Sequence, residues 1–274
     1  MPATESALPP RPSPLTELAG GVGRTAIDLY AGARDLYSVF ARTLYYVFRG
    51  KREPGAVVRQ MYEIGNRSLL FLTVTMGCIG MILVYQAGLQ TKRVVPDFSL
   101  LGATYLELLV RDLAASLGSL MLATRVGAGI AAEIGSMVVT EQVDALRMCA
   151  ADPIDYLLVP RFLASLLMTG ILIVWGGTVA FAAGALTAYV AFDVPLDTFA
   201  SIRLLDWGDL ATGFMKCIAY GAAIPIVSGH AGLSTFGGSE GVGWATTRAV
   251  VNSSLAVIVL NLLLSSATFL AFPK

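Results

Sequence analysis

The sequence predicts an all-α, polytopic membrane protein with five transmembrane helices, an N-terminal interfacial helix and a short cytoplasmic helix between two of the spans. Apolar residues (AVILMFWYC) make up 55% of the 274 residues and charged residues only 14%, against roughly 25% charged residues in soluble domains. A chain this apolar needs lipid around much of its surface, which argues against a soluble enzyme. Its net charge of zero gives no basic excess for binding nucleic acid.

The N-terminal end, residues 1–23, is predicted to be a disordered, proline-rich tail. Five prolines fall within residues 1–14, and the basic-then-apolar pattern of a signal peptide is missing there.

Residues 24–67 are predicted to contain an amphipathic helix that lies in the membrane interface. Apolar side chains recur at helical spacing, while four charged residues spaced seven apart follow another face. The apolar set is Ile27, Tyr30, Tyr37, Leu44 and Phe48, and the charged set is Asp28, Asp35, Arg42 and Arg49. A solvated cytoplasmic helix is the alternative. Eight basic residues against four acidic ones favour a cytoplasmic N-terminus by the positive-inside rule.

Residues 68–274 are predicted to form the five-span domain, since a bilayer core about 30 Å thick needs roughly 20 helical residues. Four long stretches contain no Asp, Glu, Lys or Arg: 68–91, 162–192, 217–239 and 249–273. A fifth, 100–132, is apolar but is interrupted by Glu107, Arg111, Asp112 and Arg125. With the N-terminus inside, the acidic loop 191–209 lies outside. The loop 133–161 then lies inside, although it has more acidic than basic residues.

Arg111 and Asp112, in the middle of the second predicted span, are candidates for a polar function inside the membrane. A charge at the bilayer centre costs about 2.5–3.5 kcal/mol on insertion scales, so such residues usually face a cavity or pair within the protein. Both interpretations are open: a polar lining for a substrate route, or an ion pair within one chain or between two. Lys216, near the start of the fourth span, is expected to extend towards the outer interface.

The cysteines and the single histidine predict no metal site and no disulfide framework. Cys78, Cys149 and Cys217 are far apart in the sequence and are expected to behave as small buried apolar residues. His230 is expected to form a hydrogen bond near the membrane interface.

The loop after the second span is predicted to contain a short helix. Val143, Leu146 and Ala150 share one side of it, with polar residues on the others. Asp152 is expected to cap a following helix whose first residue is Pro153. A short helix between capped turns suits docking in the groove of a partner, and an ordinary connector is the alternative.

Two motifs in this chain resemble the signature of the MlaE (YrbE-like) permeases. The first reads Glu-Gln-Val-Asp-Ala-Leu from Glu141, then Ala-Asp-Pro from Ala151 and Val-Pro-Arg from Val159. The second, Gly-Gly-Ser-Glu-Gly-Val-Gly-Trp-Ala-Thr-Thr-Arg-Ala-Val-Val-Asn-Ser-Ser, covers 237–254. The similarity runs from about Tyr45 to the C-terminus.

The resemblance implies that 68–274 is a permease domain in the bacterial inner membrane. It would belong to an ABC transporter that moves phospholipid or a related lipid between the inner membrane and the outer envelope. The implied partners are a second copy of the chain, a cytoplasmic ABC ATPase subunit that binds ATP and Mg, and a periplasmic MCE-domain lipid-binding protein. This chain itself would need no cofactor.

The resemblance also implies roles for particular residues. The segment from Glu141 to Ala151 would be the coupling helix. Residues implied to contact the ATPase are Glu141, Gln142, Asp144, Leu146, Asp152 and Pro153, and residues implied to contact lipid are Arg111, Asp112, Tyr85 and Gln86. Asp112 stands where the family often has glutamate.

The residues themselves argue against nucleotide hydrolysis by this chain. A phosphate-binding loop needs G-x-x-x-x-G-K-[ST], but the only Gly-Lys pair, Gly50-Lys51, is followed by arginine and lacks the first glycine. The glycine-rich run 237–243 has no lysine and is expected to be a tight turn between spans.

The sequence leaves two other function classes open. An intramembrane hydrolase would need a serine beside a base, but Ser228 and His230 point about 200° apart on one helix. A stand-alone channel or secondary transporter would often show an internal repeat, and the sequence contains no evident one.

Overall fold

The structure, a computed structural model, describes residues 14–50, 55–94, 98, 100–201 and 203–271. Within these residues every regular element is a helix, and five helical stretches are long and apolar enough to cross a membrane. They are Ala56–Arg93, Leu101–Val139, Ile154–Phe192, Trp207–Leu233 and Gly238–Leu270. The predicted all-α class with five spans is therefore confirmed.

The N-terminal part contains two long helices, α1 (Pro14–Arg49) and α2 (Ala56–Val94). Helix α1 begins ten residues before the predicted interfacial region, so the predicted tail overlaps it; residues 1–13 of that tail lie outside the described residues. The region 24–67 is also divided, because Gly55, with a φ of +88°, precedes α2. Residues 56–67 form the first three turns of α2 and continue directly into the first span; their interfacial assignment stays a prediction.

The second span consists of α3 (Leu101–Leu108), α4 (Ala114–Leu122) and α5 (Ala128–Val139), joined by two π-helical turns. These turns are Leu109–Leu113 and Ala123–Gly127. A π-helical turn inserts one extra residue into a helix and often marks a functional position.

The remaining chain begins with the short helix α6 (Gln142–Met148) and a third π-helical turn (Ile154–Leu158). The helices that follow are α7 (Val159–Phe192), α8 (Leu196–Phe199), α9 (Trp207–Leu233) and α10 (Gly238–Ala271). Residues 234–237 form the turn between α9 and α10, where Gly237 and Gly238, the first residue of α10, both have positive φ.

Helix α7 packs along α2 at positions where only a small residue fits. A Cβ atom on Gly80 of α2 would lie 2.3 Å from the carbonyl oxygen of Ala180, and one on Gly176 of α7 would lie 3.1 Å from the Met76 side chain. Small residues let helix backbones approach closely, which is how helices associate in lipid. Helix α9 packs against α7 in the same way at Gly221, so α2, α7 and α9 form the closely packed part of the bundle.

The outer surfaces of α1 and α10 are largely uncovered. The apolar set predicted for the interfacial face of α1 is exposed, from Leu44 at 41% to Phe48 at 83%. Val39 and Thr43, on another side of α1, are buried. The exposed face fits an interfacial helix, and that assignment stays a prediction.

The expectation that all three cysteines are buried is wrong for two of them. Cys217 is buried, whereas Cys78 and Cys149 are exposed. Cys78 lies on the outer side of α2, and Cys149 directly follows the end of α6, so neither packs in the core.

Candidate functional site

A network of charged and polar side chains connects the second span with α9 and α10. It is built on the π-helical turn Leu109–Leu113, which carries Arg111 and Asp112. Helix α9 lies directly against this turn, because a Cβ atom on Gly213 would be 2.5 Å from the carbonyl oxygen of Val110. Glycine at position 213 thus lets the charged residues of the turn reach those of α9.

Arg111 pairs with Asp209, the two charged atoms lying 3.5 Å apart. The Asp209 side chain is buried, and its Oδ2 also accepts a hydrogen bond of 3.1 Å from the backbone N–H of Asp206 as part of the capping box at the start of α9. Because Asp209 belongs to the first turn of α9, Arg111 lies level with the N-terminal end of that helix. The pair is therefore nearer one end of the bundle than the predicted mid-span position.

Asp112 pairs with Lys216, which is almost completely buried, with its side chain 1% exposed. The Lys216 ammonium also donates to the Ser265 hydroxyl of α10 at 2.8 Å. The expectation that Lys216 extends towards the outer interface is wrong, because Asp112 and Ser265 satisfy its charge inside the protein. A paired, hydrogen-bonded cation avoids most of the cost of an isolated buried charge.

The network continues along α9 and α10 through neutral groups. The Tyr220 hydroxyl donates to Oδ1 of Asn261 at 2.9 Å, and the Ser265 hydroxyl lies 3.4 Å from the same oxygen. These hydrogen bonds satisfy polar atoms that could form no hydrogen bond with lipid tails.

The two predicted residues of the turn are brought together with α9, but they do not pair with each other. Successive helical residues differ by about 100° in direction, and here each reaches a different partner. The pair with Asp209 orients the guanidinium of Arg111. Arg111 and Asp112 keep 28% and 40% of their side chains exposed, whereas both partners are buried. The network thus presents a guanidinium and a carboxylate at the surface of the chain.

Tyr85 and Gln86 lie elsewhere, near the end of α2. The Tyr85 ring packs against Phe192 with 5.9 Å between ring centroids, and both Tyr85 and Gln86 are exposed. In the part of the chain that the structure describes, no hydrogen bond or ion pair joins either residue to Arg111 or Asp112. Their predicted contact with lipid stays a prediction.

At the other end of the second span, α6 and its flanking turns form an exposed segment. Glu141, Gln142 and Asp144 are exposed, and Arg147 donates to Asp144 at 2.8 Å. Val143 is buried and Leu146 half-buried, but Ala150 is exposed, so the predicted apolar side is shorter than expected. The helix ends at Met148, with Glu141 before it and Ala150 after it in the left-handed region.

The predicted cap at Asp152 is confirmed. Its Oδ1 accepts a 2.9 Å hydrogen bond from the backbone N–H of Ile154, next to the buried Pro153. Its second oxygen, Oδ2, accepts a 2.9 Å bond from the hydroxyl of Tyr46 in α1. The hydrogen bond to Asp152 and the negative charge of that carboxylate both raise the pKa of Tyr46 above its ordinary value.

A second buried cation, Arg161 at the start of α7, was part of a recognised motif but had no predicted role. It pairs with Glu133 of α5 at 2.9 Å and donates to the carbonyl of Leu157 at 2.7 Å. Asp209, Asn261 and Ser265 were also missed. Two features of the sequence indicate these partners. Lys216 is an isolated cation in an apolar span, and Asn261 lies in an uncharged span, so each side chain needs a polar partner.

The contacts of Ser228 do not support an intramembrane hydrolase. Its hydroxyl lies 3.0 Å from the hydroxyl of Ser253 on α10, close to Gly127, rather than beside a base. Nucleophilic catalysis needs a serine paired with a base, and the serine pair instead fills the contact between two helices.

The expectation that the glycine-rich run 237–243 is a tight turn holds only for Gly237, because residues 238–243 form the first turns of α10. A cavity of about 380 Å³ lies beside it, lined by residues that include Phe236, Glu240, Trp244 and Arg248.

Comparisons with known proteins agree with the recognised motifs. The profile of the family described as "Permease MlaE" matches residues 57–267. A "Probable ABC transporter permease protein" of Rickettsia felis is 33% identical over 258 residues, covering 93% of this chain and 99% of the relative.

Two named relatives are similar at comparable identity. The "Intermembrane phospholipid transport system permease protein MlaE" of Haemophilus influenzae is 33% identical, covering 93% of this chain and 98% of the relative. "Protein TRIGALACTOSYLDIACYLGLYCEROL 1, chloroplastic" of Arabidopsis thaliana is 33% identical, covering 81% of this chain and 64% of the relative. Because the family profile and these relatives match it over most of its length, the chain belongs to the MlaE permease family, whose members are transport subunits rather than catalytic enzymes.

Proposed function

We propose that this chain is the membrane subunit of an ABC transporter that moves phospholipid or a related lipid between the inner membrane and the outer envelope. ATP would be hydrolysed by a separate cytoplasmic subunit. The observation that carries the proposal is the network of Arg111, Asp112, Asp209 and Lys216, which holds two partly exposed charged groups inside a chain of the MlaE permease family. The printed names of the relatives from Rickettsia and Haemophilus support the ABC class and a phospholipid substrate.

Arg111 is the proposed contact for the lipid phosphate. Its planar guanidinium can donate paired hydrogen bonds to phosphate oxygens, and its side chain is 28% exposed. Asp112, 40% exposed, would contact a headgroup amine or restrict the approach of other anions. Tyr85 and Gln86 would contact the lipid separately, on α2.

We further propose that two copies of the chain form the transporter and that Arg111 and Asp112 face the cavity between them. Much of α10 is exposed and apolar, and the side chain of Asp112 is 40% exposed in a single chain. A partly exposed ion pair in a bilayer is more favourable beside a water-filled cavity than against lipid tails. Five helices are also few for a conduit wide enough for a lipid.

The exposed segment around α6 is the proposed docking element for the ATPase. Its exposed residues include Glu141, Gln142 and Asp144, and Leu146 offers a half-buried apolar contact. Asp152 and Pro153 fix the turn behind it. With a cytoplasmic N-terminus this segment faces the cytoplasm, and the opposite end of the bundle faces a periplasmic MCE-domain protein.

The test is reconstitution of the chain in proteoliposomes with the ABC ATPase and MCE-domain proteins that co-purify with it in mild detergent. We expect transfer of labelled phospholipid that requires ATP and stops when the ATPase carries a substitution that abolishes hydrolysis. A chain that purifies without any ATPase and transports in response to an ion gradient alone would instead be a secondary transporter.

A further inference from the structure

Helix α1 has a buried side that packs against the rest of the protein. Leu36, Val39, Thr43, Tyr46 and Val47 recur at helical spacing on this side, and Val39 and Thr43 are buried. This side packs against the turn Ile154–Leu158 and against α7 and α9. Helix α1 is therefore attached to the bundle next to the segment that follows α6.

Two independent contacts join the end of α1 to that segment. The first is the 2.9 Å hydrogen bond from the Tyr46 hydroxyl to Oδ2 of Asp152. The second is the close approach of Gly50 to Asp155, where a Cβ atom on the glycine would lie 2.2 Å from the Asp155 carboxylate. The same Cβ atom would lie 2.7 Å from the backbone carbonyl oxygen of Tyr46, so a larger residue at position 50 requires the Asp155 side chain and the end of α1 to shift.

Helix α6 itself has few contacts that could fix its position. Val143 is its only buried residue, and α6 packs against α5. Its position therefore depends on the two turns that flank it, at Glu141 and at 149–152. Asp152 holds the second turn, because one carboxylate oxygen caps Ile154 while the other is bound by Tyr46.

We propose that Tyr46 is a positioning residue that links α1 to the turn after α6 and thereby fixes the position of α6. The inference rests on the proposed function in taking α6 as the docking element for an ATPase. Because the other face of α1 exposes Ile27, Tyr30 and Phe48, the link joins a helix suited to the membrane surface to the docking element. Displacement of α1 would then alter the presentation of α6, and with it the efficiency of coupling.

The test compares Tyr46→Phe with Tyr45→Phe. The first change removes only the hydroxyl that binds Asp152. Tyr45 is the adjacent residue, is exposed, and its hydroxyl accepts a 3.2 Å bond from Arg49 instead, so it is a matched control. Hydrogen–deuterium exchange of residues 142–152 in the solubilised chain reports local opening of the segment. We expect exchange there to rise roughly fivefold in Tyr46→Phe, the factor that corresponds to one typical hydrogen bond, and to stay unchanged in Tyr45→Phe.

In the reconstituted complex we expect at least a twofold fall in lipid moved per ATP hydrolysed for Tyr46→Phe and none for Tyr45→Phe. Adding Tyr46→Phe to Asp152→Ala should cause no further change in either measurement, since the partner is already gone. If Tyr46→Phe does not fold, Gly50→Ala replaces it, with Gly32→Ala as control because a Cβ atom at position 32 meets nothing within 4 Å.

Equal exchange in Tyr46→Phe and Tyr45→Phe would overturn the proposal, as would increased exchange with unchanged lipid transport per ATP. A wild-type complex without ATP-driven transport would refute the proposed function. The exchange experiment would still decide whether Tyr46 positions the segment.

Discussion

Lys216 and Asp112 form an ion pair whose two members differ sharply in burial. The ammonium is almost entirely enclosed, while the carboxylate keeps 40% of its side-chain surface exposed. An unpaired buried charge costs far more than one that can reach water or a lipid headgroup. Removing Asp112 and removing Lys216 should therefore destabilise the chain by different amounts, because a different charge remains unpaired in each case.

We predict that Asp112→Asn destabilises the chain more than Lys216→Met. The first change removes the negative charge that compensates the buried ammonium and leaves it only neutral acceptors such as the Ser265 hydroxyl, and an uncompensated buried charge typically costs about 3–5 kcal/mol. The second leaves a carboxylate that is already partly exposed. Thermal unfolding in detergent measures the difference, and the double variant should be more stable than Asp112→Asn alone.

The same residues also test the proposed lipid contact. Arg111→Gln removes the charge that would bind phosphate but keeps an amide N–H that can donate to the buried Asp209, so we predict that ATP-driven lipid transport falls by more than tenfold while complex assembly falls less. A photo-crosslinking residue at 111 should capture lipid. If it captures none in a complex that still transports, Arg111 and Asp209 form a purely structural pair.

At the scale of elements, the approach of α9 to the π-helical turn Leu109–Leu113 decides whether the ionic network forms. Gly213 is the point of closest approach, since a Cβ atom there would meet the backbone of Val110 at 2.5 Å. A backbone atom cannot rotate away as a side chain can, so the helices would have to separate.

We predict that Gly213→Ala lowers the unfolding temperature and reduces transport. Overpacking a well-packed core typically costs about 1–3 kcal/mol, and the added methyl group would also lengthen the Arg111–Asp209 and Asp112–Lys216 pairs. Gly170→Ala on α7 is the matched control, because a Cβ atom there meets nothing within 4 Å. Equal stability of the two variants would contradict the close approach.

A second prediction at this scale concerns helix α6. Replacing Glu141, Asp144 and Leu146 together by alanine should weaken ATPase binding or uncouple hydrolysis from transport, with little effect on the membrane fold, because all three lie outside the spans and none is fully buried. Asp152→Ala should act in the same direction through the lost cap, which typically contributes about 1 kcal/mol. Unchanged ATPase binding and transport in the triple variant would refute the docking assignment.

At the scale of the whole molecule, the proposed transporter is a dimer in which the lipid cavity forms between two copies of the chain. The exposed apolar side chains of α10, among them Leu255, Leu262 and Phe269, must be covered by lipid or by protein. We predict a mass corresponding to two copies of the chain in the functional detergent-extracted complex, measured by light scattering with correction for detergent. A functional complex that holds a single copy would contradict the prediction.

The sequence by itself determined the class of protein. Stretches such as 162–192 are uncharged and long enough to span a bilayer, so their burial in lipid follows from composition without reference to any tertiary contact. The motif from Glu141 indicated the family, and Asp152 followed by Pro153 predicted the cap, because a cap is a local interaction between neighbouring residues.

Only the tertiary structure decided which charges meet. Arg111 and Asp112 are adjacent in sequence, yet their partners, Asp209 and Lys216, lie about a hundred residues away, and the expectation for Lys216 was wrong because its partners come from other helices. Periodicity along one helix specifies which of its residues share a face. It does not specify which other helix that face contacts, or through which residues. That depends on close approaches such as Gly213 to Val110, which are properties of the packed bundle rather than of any single segment.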